Sequence, residues 1–347
     1  MNSMDEWKFS ITPYKGFEKD VLRLRNDNRE RPASRSLLDW RYEAPESSRP
    51  SLIFWVHDKQ GGRVGMAGVA FRPYWVNRQL YHFAVTGDIS LNKAFRGKGL
   101  ARKLFYFMNE YMDKNGLSPA FVIPNPAAQR SLSSAGWKRQ QPMINHVFYI
   151  NPGEKASQLL KSKAISFCLA TIYKRLVSLW LKMIPSKGIS LEHADPDDPQ
   201  IEMFWRDFQR ENLIIRDRSP VIMKWRYGIH PSNNFTVIKF LKQSVCVGFL
   251  TYLENKAIKA ISIYDFIMSR KNLVQPAMGL FIRQVGLNKD INSIRITQNS
   301  NHSYSGILSR TGFVRRNSDS VIQTYGMSKT DEYANSVWFI NSSDKDT

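Results

Sequence analysis

The feature that most constrains this 347-residue chain is a repeat inside it. Leu38-Asp39-Trp40-Arg41-Tyr42 returns as Met223-Lys224-Trp225-Arg226-Tyr227, 185 residues later. Ser134-Ala135-Gly136-Trp137-Lys138-Arg139 returns as Arg310-Thr311-Gly312-Phe313-Val314-Arg315 at an offset of 176, and Asp88 matches Asp265 at 177. The landmarks keep their order while the offset shrinks, as a shortened loop in the second copy would produce. A chain built this way is expected to fold as two related units of ordinary domain size.

Charge marks the joint between them. Residues 151–190 hold seven basic residues and one acidic residue, whereas 191–347 hold 20 and 16. The expected division is 1–150, a linker at 151–190, a second unit at 191–335 and a tail at 336–347. The tail reads as polar, with Val337-Trp338-Phe339-Ile340 hinting at one more strand or anchor. The whole chain carries +20, so anionic partners are expected: phosphates, a nucleotide cofactor, an acidic lipid surface or nucleic acid. No helix-turn-helix, basic-zipper or zinc pattern is visible, and no specific DNA binding is expected. Cys168 and Cys246 are too few for a disulfide framework or a zinc knuckle, so no metal is expected. The first residues lack a basic end followed by an apolar core, and no apolar run is long enough to span a bilayer. A cytoplasmic protein is expected, with a peripheral position at the inner face of the membrane as a further option.

Each copy reads as mixed α/β. In the first, strands are expected at 52–56, 63–71, 80–91, 120–123 and 143–150. A helix is expected from about Gly99 to Lys114, with Leu100, Leu104, Phe107, Met108 and Tyr111 on one face. A short helix over 127–134 ends at Gly136, a natural C-cap.

The chemistry concentrates where a strand, Asp88-Ile89-Ser90-Leu91, leads into Arg96-Gly97-Lys98-Gly99-Leu100-Ala101 and a helix begins. A helix N-terminus gathers free N–H groups and the positive end of the helix dipole on an anion. Gly97 and Gly99 let the backbone approach it, and Arg96 and Lys98 add charge. Taken alone, so short a pattern reads as a solvated basic turn.

Two patterns change that balance. Arg96 to Ala101 fit Arg-x-x-Gly-x-Ala, and Asn125, Ala128 and Gly136-Trp137 follow in order. Together they resemble the two cofactor motifs of the GNAT superfamily of N-acetyltransferases, over residues 8–150. The resemblance implies two tandem GNAT-like domains, each a twisted mixed sheet flanked by helices. It implies acetyl-CoA, or another acyl-CoA, as co-substrate. Ile89, Ser90 and Leu91 would bind the pantetheine, Arg96 to Ala101 the pyrophosphate, Asn125 the pantetheine or the diphosphate edge, and Ala128 would allow close approach. An amine would attack the thioester. Asp88 is the in-site candidate for the base, with a structural salt bridge as the alternative; His82 and His57 are further candidates. The family often places an acid, Tyr, seven residues after the Asn. Here that residue is Leu132, which leaves Tyr42, Tyr106, Tyr111 or water.

The second copy departs further. Val274, Gln275 and Pro276 stand where the glycine loop would be, and Tyr304 stands where Ala128 does. Pro lacks the N–H an anion needs. Residues 191–335 therefore read as a degenerate GNAT-like domain. The Trp-Arg-Tyr triplets read as structural anchors, with those of the first copy also able to face the acceptor cleft.

The linker carries its own signal. From Ser157 to Ile184, Ile165, Leu169, Ile172, Leu176, Leu179 and Met183 recur at helical spacing, with Lys163, Lys174, Arg175 and Lys182 mostly opposite. The stripe either packs between the domains or meets an anionic membrane through 157–184. The acceptor that two-domain relatives of this kind suggest is an amino sugar of a bacterial surface polysaccharide pathway. Two other functions fit less of the pattern: a Fem-type aminoacyl-tRNA-dependent transferase, and an inactive membrane-attached adaptor that binds CoA.

Overall fold

The computed structural model describes residues 7–45, 49–153, 163–208, 210, 212–287, 290–327, 333 and 336–345. The first half runs β1 (Lys8–Pro13), α1 (Glu18–Asn26), α2 (Arg35–Tyr42), β2 (Leu52–His57), β3 (Arg63–Val76), β4 (Gln79–Leu91), α3 (Leu100–Lys114), β5 (Ala120–Val122), α4 (Pro126–Ser134) and β6 (Lys138–Tyr149). The linker helix α5 (Lys163–Met183) follows; the expected turns at 157–162 lie outside the described residues. The second half runs β7 (Ile189–Ala194), α6 (Pro199–Asp207), β8 (Leu213–Arg216), α7 (Pro220–Met223), β9 (Thr236–Lys242), β10 (Val245–Asn255), β11 (Ala260–Met268), α8 (Val274–Phe281), β12 (Ser293–Asn299), α9 (Ser305–Arg310), β13 (Val314–Tyr325) and β14 (Val337–Trp338).

The expected mixed α/β architecture is present, yet the two sheets are not separate. One 14-stranded sheet runs β1-β2-β3-β4-β5-β13-β6-β12-β11-β10-β9-β7, with β8 and β14 off this path. The halves have exchanged their last strands. β13 lies between β5 and β6, and β6 pairs with β12 through Ser293↔Tyr149 to Asn299↔Met143. A boundary at residue 150 therefore divides the sequence without dividing the sheet. Local periodicity cannot show this, because a strand's pattern names its buried face and not its neighbour.

The repeated triplets meet at the joint. Trp40 and Trp225 stack with ring centroids 4.6 Å apart, and each indole N–H donates to the other residue's backbone carbonyl, at 2.7 and 2.9 Å. Arg72 and Arg216 lie over the Trp225 ring. A shared core of Tyr74, Phe83, Phe121, Met143, Ile214, Ile322, Trp338 and Ile340 draws on both halves. The stretch after Asn335 is thus no loose tail: β14 pairs with β8, and Trp338, Phe339, Ile340, Asn341 and Asp344 are buried.

A chain of residues 1–150 alone would leave β5 and β6 without β13 and β12. It is expected to give no cooperative unfolding transition by circular dichroism, and co-production with 151–347 is expected to restore one. Trp225→Ala is expected to cost about 3–5 kcal/mol in urea unfolding.

Candidate functional site

The site begins as a defect in the sheet. Pairing between β3 and β4 shifts register between Met66↔Ser90 and Gly68↔Gly87, which makes a bulge in β4 where Asp88 takes φ +47°. Pairing between β4 and β5 ends at Val85↔Phe121. Beyond that point β4 keeps β3 on one side, with no described strand on the other. Two cavities open along this free edge, of about 480 and 450 Å³. They share Arg29, Ile89, Asn125 and Ala128 in their walls.

The larger cavity ends at the glycine loop. Gly97 and Gly99 have φ of +80° and +73°, and a Cβ on either would meet nothing within 4 Å, so their left-handed backbone borders open space. Gly99 is the N-cap of α3, no side chain caps that helix and no acidic residue occupies its first turn. Its N–H groups and positive dipole end are left for an anion. Arg96 ties the loop to the strand by donating to the Leu91 carbonyl at 3.0 Å and to Asn28 at 3.1 Å. Asn125 accepts from the Ala128 N–H at 3.0 Å and so caps α4. Ile89, Ser90, Leu91, Arg96, Gly97, Gly99, Leu100, Ala101, Asn125 and Ala128 all line this one cavity; Lys98, over the Phe95 ring, does not. The Ser90 hydroxyl here and the Thr86 hydroxyl in the second cavity are buried, and neither finds a hydrogen-bond partner among the described residues. Buried hydroxyls without partners are costly unless a ligand satisfies them.

The second cavity reaches Arg25, Arg41, Tyr42, Thr86, Asp88 and, from the far end of the chain, Ser320 and Asp344. Asp88 is buried and accepts from Arg41 at 2.5 Å, Arg25 at 2.9 Å and the Tyr42 hydroxyl at 2.9 Å. Burial alone would raise its pKa, but the charges of Arg41 and Arg25 and their hydrogen bonds outweigh it and hold the carboxyl at about 2. A carboxylate so weakly basic does not collect protons at neutral pH, so the general-base expectation for Asp88 gives way to the salt-bridge alternative. Burial and the Asp88 charge push the Tyr42 hydroxyl well above its ordinary range. Gly68 makes room for that ring, since a Cβ there would lie 2.0 Å from the hydroxyl.

The other candidates fall outside. His57 contacts the Ser10 hydroxyl and the Gly61 carbonyl at the β2–β3 turn, and His82 lines neither cavity. Tyr106 donates to the Ser134 carbonyl, Tyr111 packs edge-on against Phe54, and Leu132 is fully buried. Sequence reasoning missed Arg25, Asn28, Arg29 and Asp344. The first three carry no motif, and Asp344 reaches the site only through the tertiary fold.

The second half repeats the anchor and closes the cleft. The Tyr227 hydroxyl donates to Asp265 at 3.1 Å, as Tyr42 does to Asp88, and Arg218 bridges Asp265 and Asp344. Tyr304, at the place of Ala128, is 3% exposed. Its hydroxyl accepts from the Met268 N–H at 3.0 Å and donates to the Met268 carbonyl at 3.1 Å. A side chain thus satisfies the strand edge that the first half leaves open. Val274, Pro276 and Ala277 at the start of α8 are buried, which leaves no loop for an anion there.

The sequence profile of the acetyltransferase (GNAT) family matches residues 17–137. No curated protein matches the chain in sequence. Among solved structures, it resembles a probable N-acyltransferase of Enterococcus faecalis, at TM-score 0.65 and 9% identity, over 92% of this chain and 72% of that one. It resembles a Saccharomyces cerevisiae N-myristoyltransferase with bound myristoyl-CoA, at 0.56 and 11%, over 94% and 79%. It also resembles a tandem GNAT protein of the clavulanic acid biosynthesis pathway, at 0.54 and 12%, over 93% and 100%. Residues 17–137 are thus similar to the GNAT acetyltransferase family, and more than nine-tenths of the chain shares the fold of these proteins, one of them a tandem GNAT protein.

Because the folded pKa of Asp88 lies below its ordinary 3.8, its carboxylate stabilises the fold above about pH 4 and that contribution disappears as pH falls towards 2. Urea unfolding is expected to lose about 2 kcal/mol from this site over that interval. Asp88→Asn is expected to be about 3 kcal/mol less stable at pH 7, with this part of the pH slope gone.

Proposed function

We propose that the first half transfers an acyl group from an acyl-CoA to an amine, with the pyrophosphate at Arg96 to Ala101 and the amine in the cavity beside Asp88. The observation that carries this reading is the junction of the two cavities at Ile89, Asn125 and Ala128. One arm ends at an open helix N-terminus suited to a diphosphate, and the other at a polar chamber suited to a small acceptor. Arg96, the α3 N–H groups and the backbone freedom of Gly97 and Gly99 would hold the diphosphate. Ile89, Ser90, Leu91, Asn125 and Ala128 would line the path of the pantetheine, with the Ser90 hydroxyl gaining the partner it lacks.

In the transfer, the amine nitrogen bonds to the thioester carbon, the carbon–sulfur bond breaks, and CoA leaves as a thiolate. Holding both reactants along one strand edge supplies orientation. Asp88 and Asp344, the carboxylates among the described lining residues, are both bound by guanidinium groups, so the amine proton passes to water. A thiolate whose conjugate acid titrates near about 8.5 leaves without an obligatory acid, which accommodates Leu132. Asp88 is a positioning residue: it fastens α1 and α2 to the bulge that splays β4.

The acceptor chamber, with Arg25, Arg29, Arg41, Thr86 and Ser320 in its wall, suits a small amine rich in oxygen, and an amino sugar is such an amine. The observations favour no reading built on tRNA.

Calorimetric titration of acetyl-CoA tests the cofactor arm. The chain is expected to bind in the micromolar range, and Ala128→Tyr, which copies the second half's own plug, is expected to weaken binding by about 100-fold or more at an unchanged melting temperature. Equal binding by both, or none by the parent chain, would falsify the reading. An acceptor screen with acetyl-CoA and nucleotide-linked amino sugars tests the other arm; turnover only on a polyamine or a protein rules the sugar out.

A further inference from the structure

We propose that the exposed face of α5 docks on an anionic lipid bilayer, with the helix lying in the plane of the surface. The six residues of the apolar stripe are Ile165, Leu169, Ile172, Leu176, Leu179 and Met183. At about 100° per residue they fall within an arc of about 80°. Each is between 48% and 73% exposed. Among the described residues, α5 holds eight of the 17 large hydrophobic side chains that face water, so this is a concentrated patch and not ordinary scatter.

The stripe is not the face that holds the helix to the protein. That role falls to Val177, Trp180, Leu181 and Ile184, which pack against the core that the second half dominates, and to Ala170, buried beside Gly153. Arg283 completes it by donating to the carbonyls of Leu181 and Ile184, at 3.2 and 3.4 Å. The option of packing the stripe between the two halves is therefore excluded by the side on which it lies.

Charge selects the occupant. The helix contains no acidic residue. Arg175 and Lys182 flank the stripe on its open side, placed so that their stems cover its edge while their charges reach outwards. The 151–190 segment carries seven basic residues against one acidic residue. An acidic surface complements this pattern, whereas a second copy of a chain with a net charge of +20 meets it with repulsion. The stripe extends for about 27 Å at 1.5 Å per residue, a straight line that suits a flat surface. No helix of the described residues is long and apolar enough to cross a membrane, so the contact is made from one side. The inference does not depend on the acyl-transfer reading.

The test is co-sedimentation of the whole chain with two kinds of vesicle, one of phosphatidylcholine alone and one in which about a third of the lipid is phosphatidylglycerol. The chain is expected to bind the anionic vesicles and to leave them as salt rises. The double variant Leu176→Glu, Leu179→Glu is expected to bind at least about tenfold more weakly. Both side chains face water, so its melting temperature and its acetyl-CoA titration should match those of the parent chain. No binding, equal binding to both vesicles, or undiminished binding by the double variant overturns the proposal. So does a concentration-dependent dimer that the double variant abolishes, because the occupant is then a second copy.

Discussion

The placement of β13 between β5 and β6 is the constraint on which the rest of the molecule depends. β5 pairs with β4 through only two residues before the strands part. Its other edge is held by Gln323, Thr324 and Tyr325 of β13. Side chains reinforce the graft: Gln323 donates to the Ser133 hydroxyl at 2.7 Å, and the Tyr325 hydroxyl donates to Asp113 at 2.6 Å. The open edge of β4 can persist because the strand across the cleft is anchored from behind by the other half. The second half is therefore part of the cleft's architecture: it supplies β13, Ser320 and Asp344.

The buried charges have a related role. A lone carboxylate at the bulge would be expensive, and replacing such a network with apolar side chains is often neutral for stability. Its contribution here is positional. Arg25 comes from α1, Arg41 and Tyr42 from α2, and all three converge on one carboxylate at the point where β4 leaves regular geometry. The same device recurs around Asp265 in the half whose cleft is closed. Its presence on both sides shows that the arrangement does not depend on an open cleft.

The sequence made some of this legible and hid the rest for physical reasons. The Trp40 and Trp225 triplets stood out because each anchors one side of the same contact, so both copies kept it. The cavity at Arg96 to Ala101 was legible because backbone freedom at Gly97 and Gly99 and a helix start leave a local signature. The strand exchange was not, since a strand's alternation is the same whichever neighbour it pairs with. The role first given to Asp88 failed because its two guanidinium partners lie 63 and 47 residues away in the chain. The periodicity of α5 showed a stripe, but which arc of a helix is covered depends on the surface beneath it.

Tyr304 gives the two halves different relations to their surroundings. In the second half, the phenol completes the strand edge from within, and that half is finished once folded. In the first half, the corresponding edge is completed only from outside, by whatever occupies the cleft. A bound occupant acts there as a missing piece of the core, and it favours the folded state by an amount that grows with the logarithm of its concentration. With the acyl donor proposed above as that occupant, the lifetime of the protein in a cell would lengthen when acyl donors are plentiful and shorten when they run short.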